Sequence, residues 1–227
     1  MIVSAFINLN DSNLVEKYVN NGKLLIQQPV KKVIFMDSAL IDLFIPNDFT
    51  TLIPITFGDI YLSKFNVTNT INSTSPNKDT YDYFKVICNK TEWMRQATEL
   101  FPEINDFIWV DFGIFYIFKN EVPDFNKNIS YSRLRIASIW NLENTKFSFL
   151  NIFKDIHWYF CGGTFGGNKS TIVKFADLVK AKCLELFNLH GMLIWEVNIW
   201  YLVYLEHPEL FDPYYVGDHC IKMITSY

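Results

Sequence analysis

The sequence predicts an α/β domain built on a central, mostly parallel (mixed) sheet flanked by helices. Three observations carry this. Short apolar runs of strand length recur along the chain, and segments with helical spacing separate them. Three of the runs end in residues suited to chemistry: Asp37, Asp111 and the pair Gly162-Gly163. Strand and helix patterns that alternate in this way make a sheet covered by helices. Ligands bind such sheets outside the carboxyl ends of the strands, so a site is expected where those three ends converge. No repeat and no long linker divides the 227 residues, and a single domain over 1–227 is expected.

The elements follow in order. Ile2 to Ile7 is an apolar run, and Asn10-Asp11-Ser12 after it can cap a helix that places Leu14, Val15, Tyr18 and Val19 on one face. Lys32 to Met36 and Leu52 to Ile55 read as two further strands. Residues 66–79 are polar and turn-rich, a surface loop. From Thr80 to Leu100 the pattern is helical, and Pro102 closes it. Asp106 to Val110 is the next strand. Residues 120–130 form a loop, and Leu134 to Trp140 suits either a strand or a helix start. Ile156 to Cys161 reads as a strand feeding the loop GGTFGG. Helices are expected from about Ser170 to Phe187 and from about Met192 to Glu206, before Pro208.

Composition excludes several function classes. Hydrophobic residues make up 50%, charged residues 19% and aromatics 17%, which excludes a disordered chain. The net charge of −4, with no Lys/Arg-rich run, gives no extended face for nucleic acid. The four cysteines, Cys88, Cys161, Cys183 and Cys220, lie too far apart in sequence for a zinc knuckle or redox pair. No stretch reaches the ~18 apolar residues of a membrane span. The first residues lack a basic start, so no signal peptide and a cytoplasmic location are expected. The 6 Trp, 12 Tyr and 21 Phe leave homodimerisation open without locating an interface.

Among candidate site residues Asp111 stands first. The strand FIWVD delivers one carboxylate at its end with Gly113 just beyond. A carboxylate there can hold a divalent cation against a phosphate, or it can cap local turn amides. GGTFGG holds four of only 9 glycines, so backbone there must turn sharply or lie close to a ligand. With Lys169 and Ser170 it approaches a nucleotide-triphosphate loop, but Asn168 puts the spacing off by one. WEVNIW places Glu196 and Asn198 in an apolar helix, where a buried carboxylate is either a base, an acceptor contact or part of a structural network. His219, after Gly217-Asp218, can complete a metal site begun at Asp111 or be a satisfied imidazole. Lys90 can reach a phosphate as a point charge or extend to water.

VSAFIN, FIWVDFGIF, HWYFCGGTFGG, WEVNIW and PELFDPYYVGDH occur in that order, from about Val3 to His219. Together they resemble the HtrL/YibB family of glycosyltransferase-like proteins. The resemblance implies a single Rossmann-like domain of the GT-A type. It also implies a nucleotide-sugar-dependent transferase that moves a sugar from a UDP- or GDP-sugar to a glycan or other hydroxyl acceptor. Ala5, Phe6 and Asn8 then fall where such proteins hold the base and ribose, with Asp37 nearby. Asp111 falls at the carboxylate motif that carries Mn²⁺ or Mg²⁺. Gly162 and Gly163 fall where the donor sugar or acceptor approaches backbone, and Glu196 in the region of the base. His219 is similar to the histidine that completes the metal shell in some members of the fold. The sequence departs at one point: the usual second acid is Gly113. Two other readings stand beside the transferase: a non-catalytic nucleotide-sugar or glycan-binding protein of the same fold, and a nucleotide hydrolase built on the glycine-rich segment.

Overall fold

Among the described residues, six of seven strands run the same way, and the seventh, reversed, lies between them. In the computed structural model, residues 1–9, 12–66, 75, 78–118, 121–125, 130–142 and 151–227 are described. The expected cap residues Asn10 and Asp11, most of the expected loop 66–79 and part of the expected loop 120–130 lie outside that set. The strands are β1 (Ile2–Phe6), β2 (Lys32–Asp37), β3 (Thr50–Ile55), β4 (Asp106–Val110), β5 (Leu134–Ser138), β6 (Thr164–Asn168) and β7 (Phe211–Tyr215). The helices are α1 (Ser12–Gln27), α2 (Tyr81–Cys88), α3 (Lys90–Leu100), α4 (Lys169–His190), α5 (Glu196–Glu206) and the single turn α6 (Lys222–Thr225). The sheet order is β3-β2-β1-β4-β6-β5-β7. β1 pairs in parallel with β2 and β4, and β6 is antiparallel to both β4 and β5. None of the described helices is long and apolar enough to cross a membrane.

Alternation along the strands divides the core in two. Val3, Val33, Phe35, Phe107, Trp109, Phe165 and Phe211 point to one face, where α2 to α5 pack. Ile2, Ile34, Met36, Ile108 and Val110 point to the other, against α1, the turn Ile114–Tyr116 and α6. The predicted sheet with helices on both sides is therefore present.

Four expectations are corrected. The helix 80–100 is two helices, broken at the buried Asn89, whose carbonyl oxygen accepts from Glu92 and Trp93 amides at 3.0 and 3.1 Å and so starts α3 afresh. Ile156 to Cys161 is not a strand. Tyr159, Phe160 and Cys161 are fully buried, and burial alone gave them a strand-like pattern. The segment TFGGN, read as a loop, is itself β6. A Cβ on Gly166 would stand 2.4 Å from the Phe107 carbonyl oxygen, so glycine there lets β6 approach β4. Finally, α5 starts at Glu196 and not near Met192. Gly191, at φ 65°, ends α4 in the left-handed region, and the buried Leu193, Ile194 and Trp195 lead into α5.

Lys32 shows how a buried charge is accommodated away from any carboxylate. Its ammonium donates to the Ile26 and Gln28 carbonyl oxygens at 3.3 and 2.6 Å and to Thr50 Oγ1 at 3.1 Å. Carbonyls at the end of α1 lack helical partners, so Lys32 satisfies them. Burial lowers its pKa from 10.5 to about 8. Between those values the unfolded chain holds a proton that the folded chain has released, so this group's contribution to stability rises with pH across the window and is constant below it. Urea unfolding of the wild type and Lys32→Met on either side of the window should show the difference between them growing in favour of the wild type as pH rises. A difference independent of pH would contradict the lowered value.

Candidate functional site

A cavity of about 210 Å³ opens at the carboxyl ends of β1 and β4. Most of the residues singled out from sequence line it: Ala5, Phe6, Lys90, Asp111, Gly162, Gly163, Glu196 and His219. A larger cavity, about 460 Å³, lies at the opposite ends of the strands, around Met1, Ile2 and Phe49, and gathers no comparable set of ionisable groups. Because β6 is reversed, its first residue lies beside the end of β4, with Thr164 opposite Val110. That brings Gly162 and Gly163 to Asp111, whose amide donates to the Gly163 carbonyl oxygen at 3.0 Å. The same reversal carries Lys169 to the far end, where β6 closes with Asn168 opposite Asp106. The hydrolase reading needs Lys169 near the acidic strand end, and the fold separates them.

Lys90 is the centre of the site. Its ammonium lies 2.9 Å from Glu196 Oε1, 3.0 Å from the Gly162 carbonyl oxygen, 2.9 Å from Asp111 Oδ1 and 3.3 Å from Oδ2. Lys90 and Glu196 are buried, while the Asp111 side chain keeps 38% of its exposure. Burial alone would lower the Lys90 pKa, but Asp111 and Glu196 overcome it and hold the amine well above its ordinary range. A lysine at the first position of a helix opposes the helix dipole. Lys90 sits there on α3 because two carboxylates outweigh that cost. Glu196, first residue of α5, has the favourable sign for its place.

Packing fixes this cluster. Trp109 donates its indole N–H to Asp111 Oδ1 at 2.7 Å. The Trp109 ring is stacked between Trp93 and Phe165, each at 6.2 Å. Position 162 has no room for a side chain, since a Cβ would stand 2.5 Å from Glu196 Oε1. Asn198, the other polar residue of WEVNIW, serves the scaffold. Its Oδ1 accepts from the His157 amide at 2.7 Å, and its Nδ2 donates to the Ile152 and Asp155 carbonyl oxygens, each at 2.9 Å.

The remaining candidates divide. His219 lies against Trp158, ring centroids 4.5 Å apart, and burial lowers its pKa against the opposing pull of Asp218 and Asp111, which leaves the imidazole neutral at pH 7. Asp37 accepts from the amides of Asn8 and Ala39 at 3.1 and 3.0 Å, and neither Asn8 nor Asp37 is among the lining residues. Sequence reasoning passed over Lys78, an exposed ammonium on the cavity lining 5.2 Å from the Tyr83 ring centroid, and Trp158. Lys78 was hidden in a polar loop, and Trp158 in a segment read as a strand. Trp109 was passed over too, although its place two residues before Asp111 on one strand puts the two side chains on the same face.

The donor set does not suit a divalent ion as it stands. Asp111 already faces an ammonium, and among the described residues no three of His, Cys, Asp and Glu gather around a common point. Comparison of the chain with protein-family models finds no match, and comparison with curated proteins finds none. The site therefore has to be read from its own chemistry.

Proposed function

We propose that this chain is a transferase that takes a sugar from a UDP- or GDP-sugar and passes it to a glycan or other hydroxyl acceptor. The observation that carries the reading is the buried Lys90 ammonium joined to both Asp111 and Glu196 at the carboxyl end of β4. The mixed sheet with one reversed strand is compatible with the GT-A type that the sequence resemblance implies. Phe6, Tyr18 and Trp158 supply aromatic walls, and Lys78 supplies a charge at the rim. At about 210 Å³ the cavity lies below the roughly 300–1,000 Å³ of ligand pockets and is of a size for the sugar of a donor, the diphosphate and nucleoside extending out of it.

In this reading Asp111 accepts hydrogen bonds from the donor's hydroxyls, since its carboxylate is the most exposed of the cluster. Glu196 acts as base. Its Oε1 is held by Lys90, and Oε2 has no hydrogen-bond partner among the described residues. Oε2 takes the acceptor's hydroxyl proton as the acceptor oxygen bonds to the anomeric carbon. The carbon–oxygen bond to the diphosphate breaks, and its electron pair leaves with the phosphate. Lys90 and Lys78 stabilise the charge that builds there.

Thermal shift with UDP, GDP and their sugars tests the donor site: a ligand at a hundredfold excess over its Kd should add about 2.7 kcal/mol. Glu196→Gln keeps an oxygen for Lys90 but cannot take a proton. It should bind donor as the wild type does and lose about 10²–10⁴-fold in transfer rate. Wild-type turnover in the folded variant would remove Glu196 as base. The second reading, binding without turnover, is favoured by one observation: Lys90 already ties up Glu196 Oε1 and both oxygens of Asp111, which leaves Oε2 alone for chemistry. Donor binding with no transfer or donor hydrolysis would support it.

A further inference from the structure

We infer that the Lys90 ammonium is the resident cation of this site and stands where a divalent metal would otherwise join Asp111 to a diphosphate. This deepens the donor-site reading and rests on it. Four observations lead there.

The ammonium is within 2.9 Å of both carboxylates, so Asp111 and Glu196 face each other across one positive charge. A divalent ion seated on Asp111 would meet that charge at close range, with little water between to screen it. The position of the usual second acid is also filled. Gly113 has φ −90°, so its backbone does not call for glycine, but a Cβ there would stand 2.9 Å from the Tyr18 ring. Tyr18 thus takes the space in which a second carboxylate would grow. The break at Asn89 starts α3 at Lys90, so the ammonium is placed by backbone and not by a mobile tail. Its partners at Gly162, Asp111 and Glu196 come from three separate segments, each buried or anchored by its own hydrogen bonds.

A metal-free cavity must still accept an anion. Lys90 alone leaves the two carboxylates with one excess negative charge. Lys78 at the rim brings a second ammonium, so the wall as a whole is balanced. The first residues of α3 and α5 both line the cavity, and helix N-termini add partial positive charge there. Positive charge to meet a phosphate at the rim is therefore present without a metal, chiefly from Lys78.

The test is Mn²⁺ binding, read from the loss of the free-ion EPR signal, on the whole chain with and without UDP. The wild type should show no saturable Mn²⁺ site, and any nucleotide shift in melting temperature should be the same in EDTA as in Mn²⁺. Lys90→Gln strips the charge from between the carboxylates. It should bind Mn²⁺ more tightly by about tenfold or more, and Asp111→Asn added to it should abolish the gain. Saturable Mn²⁺ binding by the wild type that disappears in Asp111→Asn would overturn the inference. So would a folded Lys90→Gln that stays blind to Mn²⁺. If Lys90→Gln does not fold, the wild-type titration decides alone. Absence of any nucleotide shift would sink the donor reading, and the Mn²⁺ comparison would still decide whether Lys90 holds the metal's place.

Discussion

Gly166→Ala is expected to destabilise the protein by about 3 kcal/mol or more, at the upper end of what an added methyl group does in a packed interior. The new Cβ would lie 2.4 Å from the Phe107 carbonyl oxygen and 2.9 Å from Ile108 Cα. Both atoms belong to the backbone of β4, so no side-chain rotation relieves the contact. Tyr227 Oη, at 2.2 Å, can swing away, but the strand cannot. Elsewhere such a change would stabilise by about 0.4–1 kcal/mol through the unfolded chain, so the loss is measured against an opposing gain. The strands must separate or shift, and the Asp111–Gly163 backbone bond beyond Val110 and Thr164 shifts with them. At about 2–4 °C per kcal/mol for a chain of this size, the melting temperature should fall by roughly 6–12 °C. Donor binding should weaken with it. A variant melting within about 2 °C of the wild type would show that β4 and β6 do not approach so closely.

The second large effect is expected at Lys90. Lys90→Met keeps the bulk of the side chain and removes its charge. Glu196, only 6% exposed, is then left buried without its counter-charge beside Asp111. Breaking one side of a buried ion pair costs about 3–5 kcal/mol, whereas replacing every member by neutral groups of similar shape is often nearly free. The triple variant Lys90→Met, Asp111→Asn, Glu196→Gln should therefore recover most of the stability that the single variant loses, while donor binding stays abolished. Urea unfolding of the two proteins and a nucleotide thermal shift check this. A single variant as stable as the wild type would mean that Lys90 does not compensate these carboxylates.

Both effects depend on contacts between distant parts of the chain, and this marks where sequence reading succeeded and where it stopped. β1, β2, β3 and β4 were legible because each is an apolar run bounded by polar or turn residues, and Asp111 because it ends such a run. Ala5, Phe6 and Asp111 fall on the cavity because strand ends gather at one edge of a parallel sheet. β6 was missed because two of its five residues are glycine, which ordinarily marks a turn. Only the closeness of β4 explains them. β7 gave no strand signal because Pro213 interrupts it, which an edge strand tolerates. The pairing of Lys90 with Glu196 spans 106 positions and leaves no local trace. Lys90 was read from sequence as a phosphate contact or a lysine extending to water, and its place between two carboxylates follows only from the break at Asn89 and the fold. Asp37 and Asn8 were legible as polar residues at strand ends, but the Asp37 carboxylate accepts from the backbone amides of Asn8 and Ala39, and neither residue lines the cavity.

The indole that steadies Asp111 has a consequence for how the molecule can be watched. Trp109 lies in a near-parallel stack with Trp93, 8° from coplanar, and its N–H is tied to the carboxylate at the mouth of the cavity. Any ligand that draws on Asp111 perturbs that N–H, and with it the emission and near-ultraviolet circular dichroism of an aromatic pair otherwise sealed in the core. The protein carries its own optical probe at the site, needing no label. Trp109→Phe would remove its share of the signal, leaving that of Trp158 on the cavity wall.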